Sequence, residues 1–92
     1  MRGKTAYEDL KETQLQVSQD RIADLAAHAE RLGRQRSGTY RQQLDILRAK
    51  VALMRSWLRK LQAASDATWL ETRTKVENAW NDLRLSLNSI KT

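Results

Sequence analysis

Cysteine and proline are absent from the 92 residues, histidine occurs once and glycine three times. Without cysteine there is no disulfide framework, and thiolate metal sites and thiolate catalysis are excluded. That absence fits a reducing cytoplasm, which is the expected location. Without proline, and with so few glycines, almost nothing interrupts helix formation. A lone histidine, His28, cannot build a conventional zinc site without cysteine, and it is expected to be a structural side chain flanking a helix seam. No apolar run approaches the ~18–20 residues of a membrane-spanning helix. The start, Met-Arg-Gly-Lys-Thr, is basic, but no apolar run follows it, so no secretory signal is expected.

Nor does the sequence offer a glycine-rich phosphate loop, a Ser/His/Asp set or metal-ligand spacing. The carboxylates Glu8, Asp9 and Glu12 cluster where a helix begins, and there they complement its dipole. A paired acid/base site would need a pocket, which a slender helical protein of this size seldom has. The expectation is a non-enzyme with no catalytic residues, cofactor, metal or small-molecule substrate.

What is present is heptad order. Tyr40, Leu44, Leu47, Val51, Met54, Leu58, Leu61 and Ser65 succeed one another at intervals of four and three residues, an unbroken seam. Alternation by two would scatter these residues over both faces of a strand, so the pattern is helical. A weaker seam precedes it (Leu15, Ser18, Ile22, Leu25, Ala29, Leu32), with Leu10 and Val17 widening its face. A third follows: Trp69, Arg73, Val76, Trp80, Leu83, Leu87 and Ile90, broken in apolar character by Arg73 alone.

Thr5-x-x-Glu8, Thr39-x-x-Gln42 and Thr68-x-x-Glu71 each match a capping box. They predict an all-α antiparallel bundle, a single coiled-coil domain over 1–92 with helices at about 5–32, 39–64 and 67–90. Residues 1–4 are expected to be flexible and 33–38 to form a loop, with Gly33 as a left-handed cap. The junction near Ser65 and Asp66 contains no glycine or proline, so a helix running through it competes with a break there. Both junctions also carry a 4-4-4 spacing, a stutter that lets a helix continue while its seam drifts.

With Leu44 at heptad position a, Ile46 and Leu53 fall at c and Trp57 at g, widening the apolar arc of the middle helix to roughly 160°. An arc that wide calls for two neighbouring helices. Leu44, Leu47, Val51, Met54, Leu58 and Leu61, joined by Trp69, Val76, Trp80 and Leu83, are the residues expected to pack. Trp69 and Trp80 are read as core anchors and Trp57 as an interface anchor.

Charge is uneven. Residues 31–60 hold nine Lys/Arg against Asp45 alone, within a net charge of +6 for the chain. Arg41, Arg48 and Arg55 recur every seven residues at position e. With Arg34, Arg36 and Arg59 they are the candidate contacts for an acidic partner. The alternative is that they pair between helices or cover the seam with their stems. Two functional classes follow. One is a structural protein that self-associates or holds a partner helix through its seams. The other is a basic amphipathic protein on anionic lipid, a granule surface or nucleic acid, reading backbone charge and not base sequence.

Tyr40 to Ala52 with Leu47-Arg-Ala-Lys50, then Leu61-Gln-Ala-Ala-Ser-Asp-Ala-Thr-Trp69, then Val76-Glu-Asn-Ala-Trp-Asn-Asp-Leu83 resemble short bacterial coiled-coil proteins regarded as stress-responsive or uncharacterised. Tyr7, Leu15, Ile22, Leu25 and Ala29 extend the likeness weakly to the first segment. The resemblance implies a non-enzymatic helical protein, with no binding residues to transfer. The glycines at 33 and 38 and the arginine-rich middle depart from that pattern.

Overall fold

A computed structural model of the chain describes residues 2–31, 33 and 38–90. Three helices account for nearly all of them: α1 (Arg2–Arg31), α2 (Gly38–Gln62) and α3 (Asp66–Ser89), with no strand among the described residues. They form an up-down-up bundle measuring 49 × 18 × 18 Å. Its direction is fixed by contacts. Lys11 of α1 meets Glu77 of α3 and Arg21 meets Asn88, so α1 and α3 run parallel. Tyr40, at the start of α2, reaches Leu25 near the end of α1, and Lys50 reaches Asp82, so α2 runs against both.

The expected seam of α2 is its buried face: Tyr40, Leu44, Leu47, Val51, Met54, Leu58 and Leu61 all lie inside. Leu15, Ile22 and Ala29 meet it from α1, and Trp69, Val76, Ala79, Leu83 and Leu87 from α3. Leu25, Trp57, Trp80 and Ile90 pack against this core while keeping some exposure. Helix α2 neighbours both others along its length, whereas the backbones of α1 and α3 approach closely at few positions. Each fully buried aliphatic side chain contributes roughly 1.5–3 kcal/mol of hydrophobic stabilisation. The α2 face is therefore the main source of cohesion.

The apolar arc is narrower than the sequence suggests. Ile46 and Leu53 are about half exposed, and so are Leu10 and Val17, which therefore do not widen the face of α1. Two flanking helices suffice to cover positions a and d of α2, and position c is left outside. Ala79, absent from the expected third seam, is buried as well.

The helix starts also differ from the capping boxes. Helix α1 begins at Arg2, three residues before Thr5, so Thr5 lies within the helix. The reason is tertiary, since Lys4 is ion-paired with Asp66 of α3 and so holds the first turn. Helix α2 begins at Gly38, one residue before Thr39. Helix α3 is capped by Ser65 in extended conformation, with its side chain making no cap hydrogen bond. Instead the Ser65 carbonyl accepts the N–H groups of Thr68 and Trp69 at 3.1 and 2.9 Å. The chain thus breaks at 63–65, which selects one of the two open readings of that junction. Leu32, Arg34 and Arg36 lie outside the described residues.

Gly33 ends the first helix with φ of 73°, the left-handed conformation expected of it, and its N–H donates to the Glu30 carbonyl at 3.1 Å. A Cβ there would touch nothing within 4 Å, so any penalty is one of backbone alone. Gly33→Ala is expected to cost about 1–2 kcal/mol in denaturant unfolding. Gly38→Ala, where φ is not positive, should be neutral or slightly stabilising. In the same assay Leu47→Ala should cost about 2–5 kcal/mol. Leu53→Ala should stay within about 0.5 kcal/mol.

Candidate interaction surfaces

Heptad geometry sorts the side chains of α2 into three sets. Positions a and d turn inward, as above. All the expected packing residues, from Leu44 to Leu83, are thereby assembled inside one chain, with Trp80 retaining partial exposure. Position e, with Arg59 beside it, carries the arginines along the flank that meets α1. Positions c and g carry Ile46, Leu53, Lys50 and Trp57 on the flank that meets α3.

On the arginine flank, Arg41, Arg48 and Arg59 are exposed and Arg55 is half-buried. Arg48 is 3.7 Å from Asp45 one turn earlier, both groups lying in solvent. Such a pair contributes roughly 0–1 kcal/mol and constrains little. Arg41, Arg55 and Arg59 make no ion pair or side-chain hydrogen bond with the described residues. Between Arg48 and Arg55 and the facing Gln19 and Ala23 of α1 lies an open groove of about 330 Å³. Interhelical pairing, one of the two expectations for these arginines, is therefore not how they are used among the described residues.

On the other flank Lys50 crosses to α3, donating to Asp82 at 2.9 Å and to Ser86 at 2.8 Å. Trp57 is half-buried, with the Lys60 ammonium 4.4 Å from its ring centroid. Ile46 and Leu53, seven residues apart, stand out beside it. The adjoining line Gln42, Ala49 and Ser56 is exposed and uncharged.

A third constellation was not foreseen. Lys11 is buried, pairing with Glu77 at 2.8 Å, and its ammonium lies 5.4 Å from the Tyr7 ring and 5.5 Å from the Trp80 ring. Tyr7 donates to Glu77 and stands edge-on to Trp69 at 5.6 Å, while Trp69 Nε1 donates to Glu8 at 3.3 Å. Arg73, the polar break in the third seam, lies over the Tyr7 ring at 5.3 Å. This set joins α1 to α3, whose backbones approach closely at few positions. Glu8 thus has a partner beyond the helix dipole. The available signal was spacing: Lys4, Lys11, Ser18 and Leu25 repeat every seven residues and prolong the α1 seam toward the N-terminus.

Electrostatics follow from the geometry. Burial tends to raise the Glu77 carboxyl, but hydrogen bonds from Lys11 and Tyr7 and the nearby positive charges outweigh it and hold it below its ordinary 4.5. Burial, reinforced by the hydrogen bond to Glu77 and its charge, pushes the Tyr7 phenol well above its ordinary 10.0. His28 is half-buried beside Arg21, Asp24 and Arg31, and no group of metal-ligating side chains occurs among the described residues. Among the described residues no helix is long and apolar enough to cross a membrane.

Because the folded Glu77 carboxyl titrates below its unfolded value, its stabilisation is present above pH 4.5 and is lost as pH falls through the folded value. Tyr7 acts oppositely, its share being present below pH 10 and lost at higher pH. Denaturant titrations between pH 3 and 7 should show an acid loss of stability that shrinks in Glu77→Gln. At neutral pH Glu77→Leu, which leaves Lys11 buried and unpaired, should cost about 2–4 kcal/mol, and adding Lys11→Met should recover much of it. Comparison of the chain with protein-family models, with curated proteins and with solved structures finds no match, so the functional reading rests on these surfaces.

Proposed function

We propose that the protein is a non-enzymatic interaction protein that self-associates through the outer face of α2. The observation that carries this reading is the ridge of Ile46 and Leu53. These two apolar side chains stand at heptad spacing, both about half exposed, beside half-buried Trp57. They lie in the most basic segment of the chain, yet Gln42, Ala49 and Ser56 alongside are uncharged. Two copies can bring Ile46 and Leu53 together beside these uncharged side chains, with Lys60, the next residue on the same line, at the end of the contact. Leu10, Val17, Leu70 and Leu85 are exposed as well, so apolar surface is generous for a chain of this size. A role in stress response, implied by the likeness to short bacterial coiled-coil proteins, is compatible with such an assembly.

Sedimentation equilibrium at low and high salt tests it. The expected result is a dimer or higher species that persists at high salt, because the contact is apolar. Ile46→Asp with Leu53→Asp should give a monomer of unchanged helicity. A wild-type monomer at both salts, or a double variant with unchanged mass, would overturn the ridge as the site of association.

A further inference from the structure

The three interhelical grooves are not closed alike. Between α1 and α3 run the Lys4–Asp66 and Lys11–Glu77 pairs and the Trp69–Glu8 and Arg21–Asn88 hydrogen bonds. Between α2 and α3, Lys50 bridges to Asp82 and Ser86. Along the α1–α2 groove, no described α1 side chain from Glu12 to Ala29 pairs with a side chain of α2. The polar link there is the Tyr40 hydroxyl donating to the Leu25 carbonyl at 3.2 Å.

Arg48 and Arg55 line this unbridged groove, Arg48 also standing 3.7 Å from Asp45 of its own helix. Its floor is apolar and low, formed by Ile22 and Ala23 of α1 and by Val51 and Ala52 of α2. A smaller hollow of about 140 Å³ continues it toward Arg59, where Glu12 supplies one carboxylate of its own. At a rise of ~1.5 Å per residue, Arg41, Arg48 and Arg55 are spaced about 10.5 Å apart along the axis. Small side chains on the floor let another backbone come close, and arginine forks suit carboxylates bidentately.

We propose that the α1–α2 groove receives an acidic amphipathic helix from a different protein, making a four-helix bundle. Carboxylates at heptad spacing on that helix meet Arg48 and Arg55, and its narrow apolar edge rests on Ala23 and Ala52. A nucleic-acid strand suits the groove less. Its phosphates, about 3.4 Å apart along a duplex axis per strand, can meet the arginines only at every third position, and they gain nothing from an apolar floor. A second copy of this chain is also unsuited, because no two of its eleven Asp and Glu residues are seven apart in sequence. Arginine flank and apolar ridge lie on opposite sides of the α2 seam, so the groove is independent of the self-association proposed above.

The test is fluorescence anisotropy of labelled probes with the full chain, using an Ile46→Ser/Leu53→Ser form, which removes the ridge without adding carboxylates at heptad spacing, so that self-association does not intervene. One probe is a synthetic helix of about four heptads with leucine and alanine on one edge and glutamate every seven residues beside it. A second has lysine for each glutamate, and a third is oligothymidylate. The glutamate helix should bind and the lysine helix should not. Arg48→Glu with Arg55→Glu should weaken binding about tenfold or more. Ala52→Phe, which fills the groove without changing charge, should do the same, each variant first being shown to keep wild-type helicity. Failure of the glutamate helix to bind would overturn the proposal. So would binding insensitive to either change, or oligothymidylate binding that Ala52→Phe leaves intact.

Discussion

One helix face holds this molecule together. The a and d positions of α2 are covered from both sides at once, by α1 on the arginine flank and by α3 on the lysine flank. Neither outer helix buries much of itself against the other by backbone approach. Cohesion is therefore arranged like two leaves on a spine, and the free edges of the leaves must be joined by something longer than a methyl group. Tyr7, Lys11, Trp69, Glu77 and Trp80 are those longer groups. Aromatic bodies supply area at that seam, and their polar ends and the Lys11–Glu77 pair fix its register.

The same division explains how the cations are used. Lys4, Lys11 and Lys50 cross between helices and are ion-paired. A lysine has a long flexible stem that can lie along apolar surface while its ammonium meets one carboxylate, which suits a bridge inside a bundle. The arginines of α2 stay on their own flank. A positive strip turned outward repels itself and steers the molecule toward negative charge. Internal pairing and external charge are thus separated by residue type and by side of the spine.

Much of this was legible from spacing. The seven-residue face of α2, the three-helix bundle and the glycine that closes α1 follow from periodicity and helix punctuation, because buried positions must recur at 3.6-residue intervals. Three features were not. Thr5, Thr39 and Thr68 match a capping pattern that is local, and contacts such as Lys4–Asp66 shift where the helices start. Ile46 and Leu53 look like part of the buried arc because hydrophobicity gives no account of how many neighbours arrive to cover it. Lys11 was hidden by its charge, since a lysine at a seam position becomes a core residue only when a distant carboxylate and two rings are brought to it.

The break between α2 and α3 has a consequence for the shape of the chain. Ala63, Ala64, Ser65 and Asp66 contain no residue that forbids helix, and Ser65 makes no side-chain cap bond there. Locally the turn has only the exposed contacts of the Thr68 hydroxyl with the Ser65 hydroxyl and carbonyl, and Leu61 and Trp69 are buried on either side of it. By propensity alone the two helices would join end to end into a rod of about 50 residues, on the order of 75 Å long. Bundle and rod are thus two readings of the same backbone, and the compact one exists only for as long as its core outweighs the straight run of the helix.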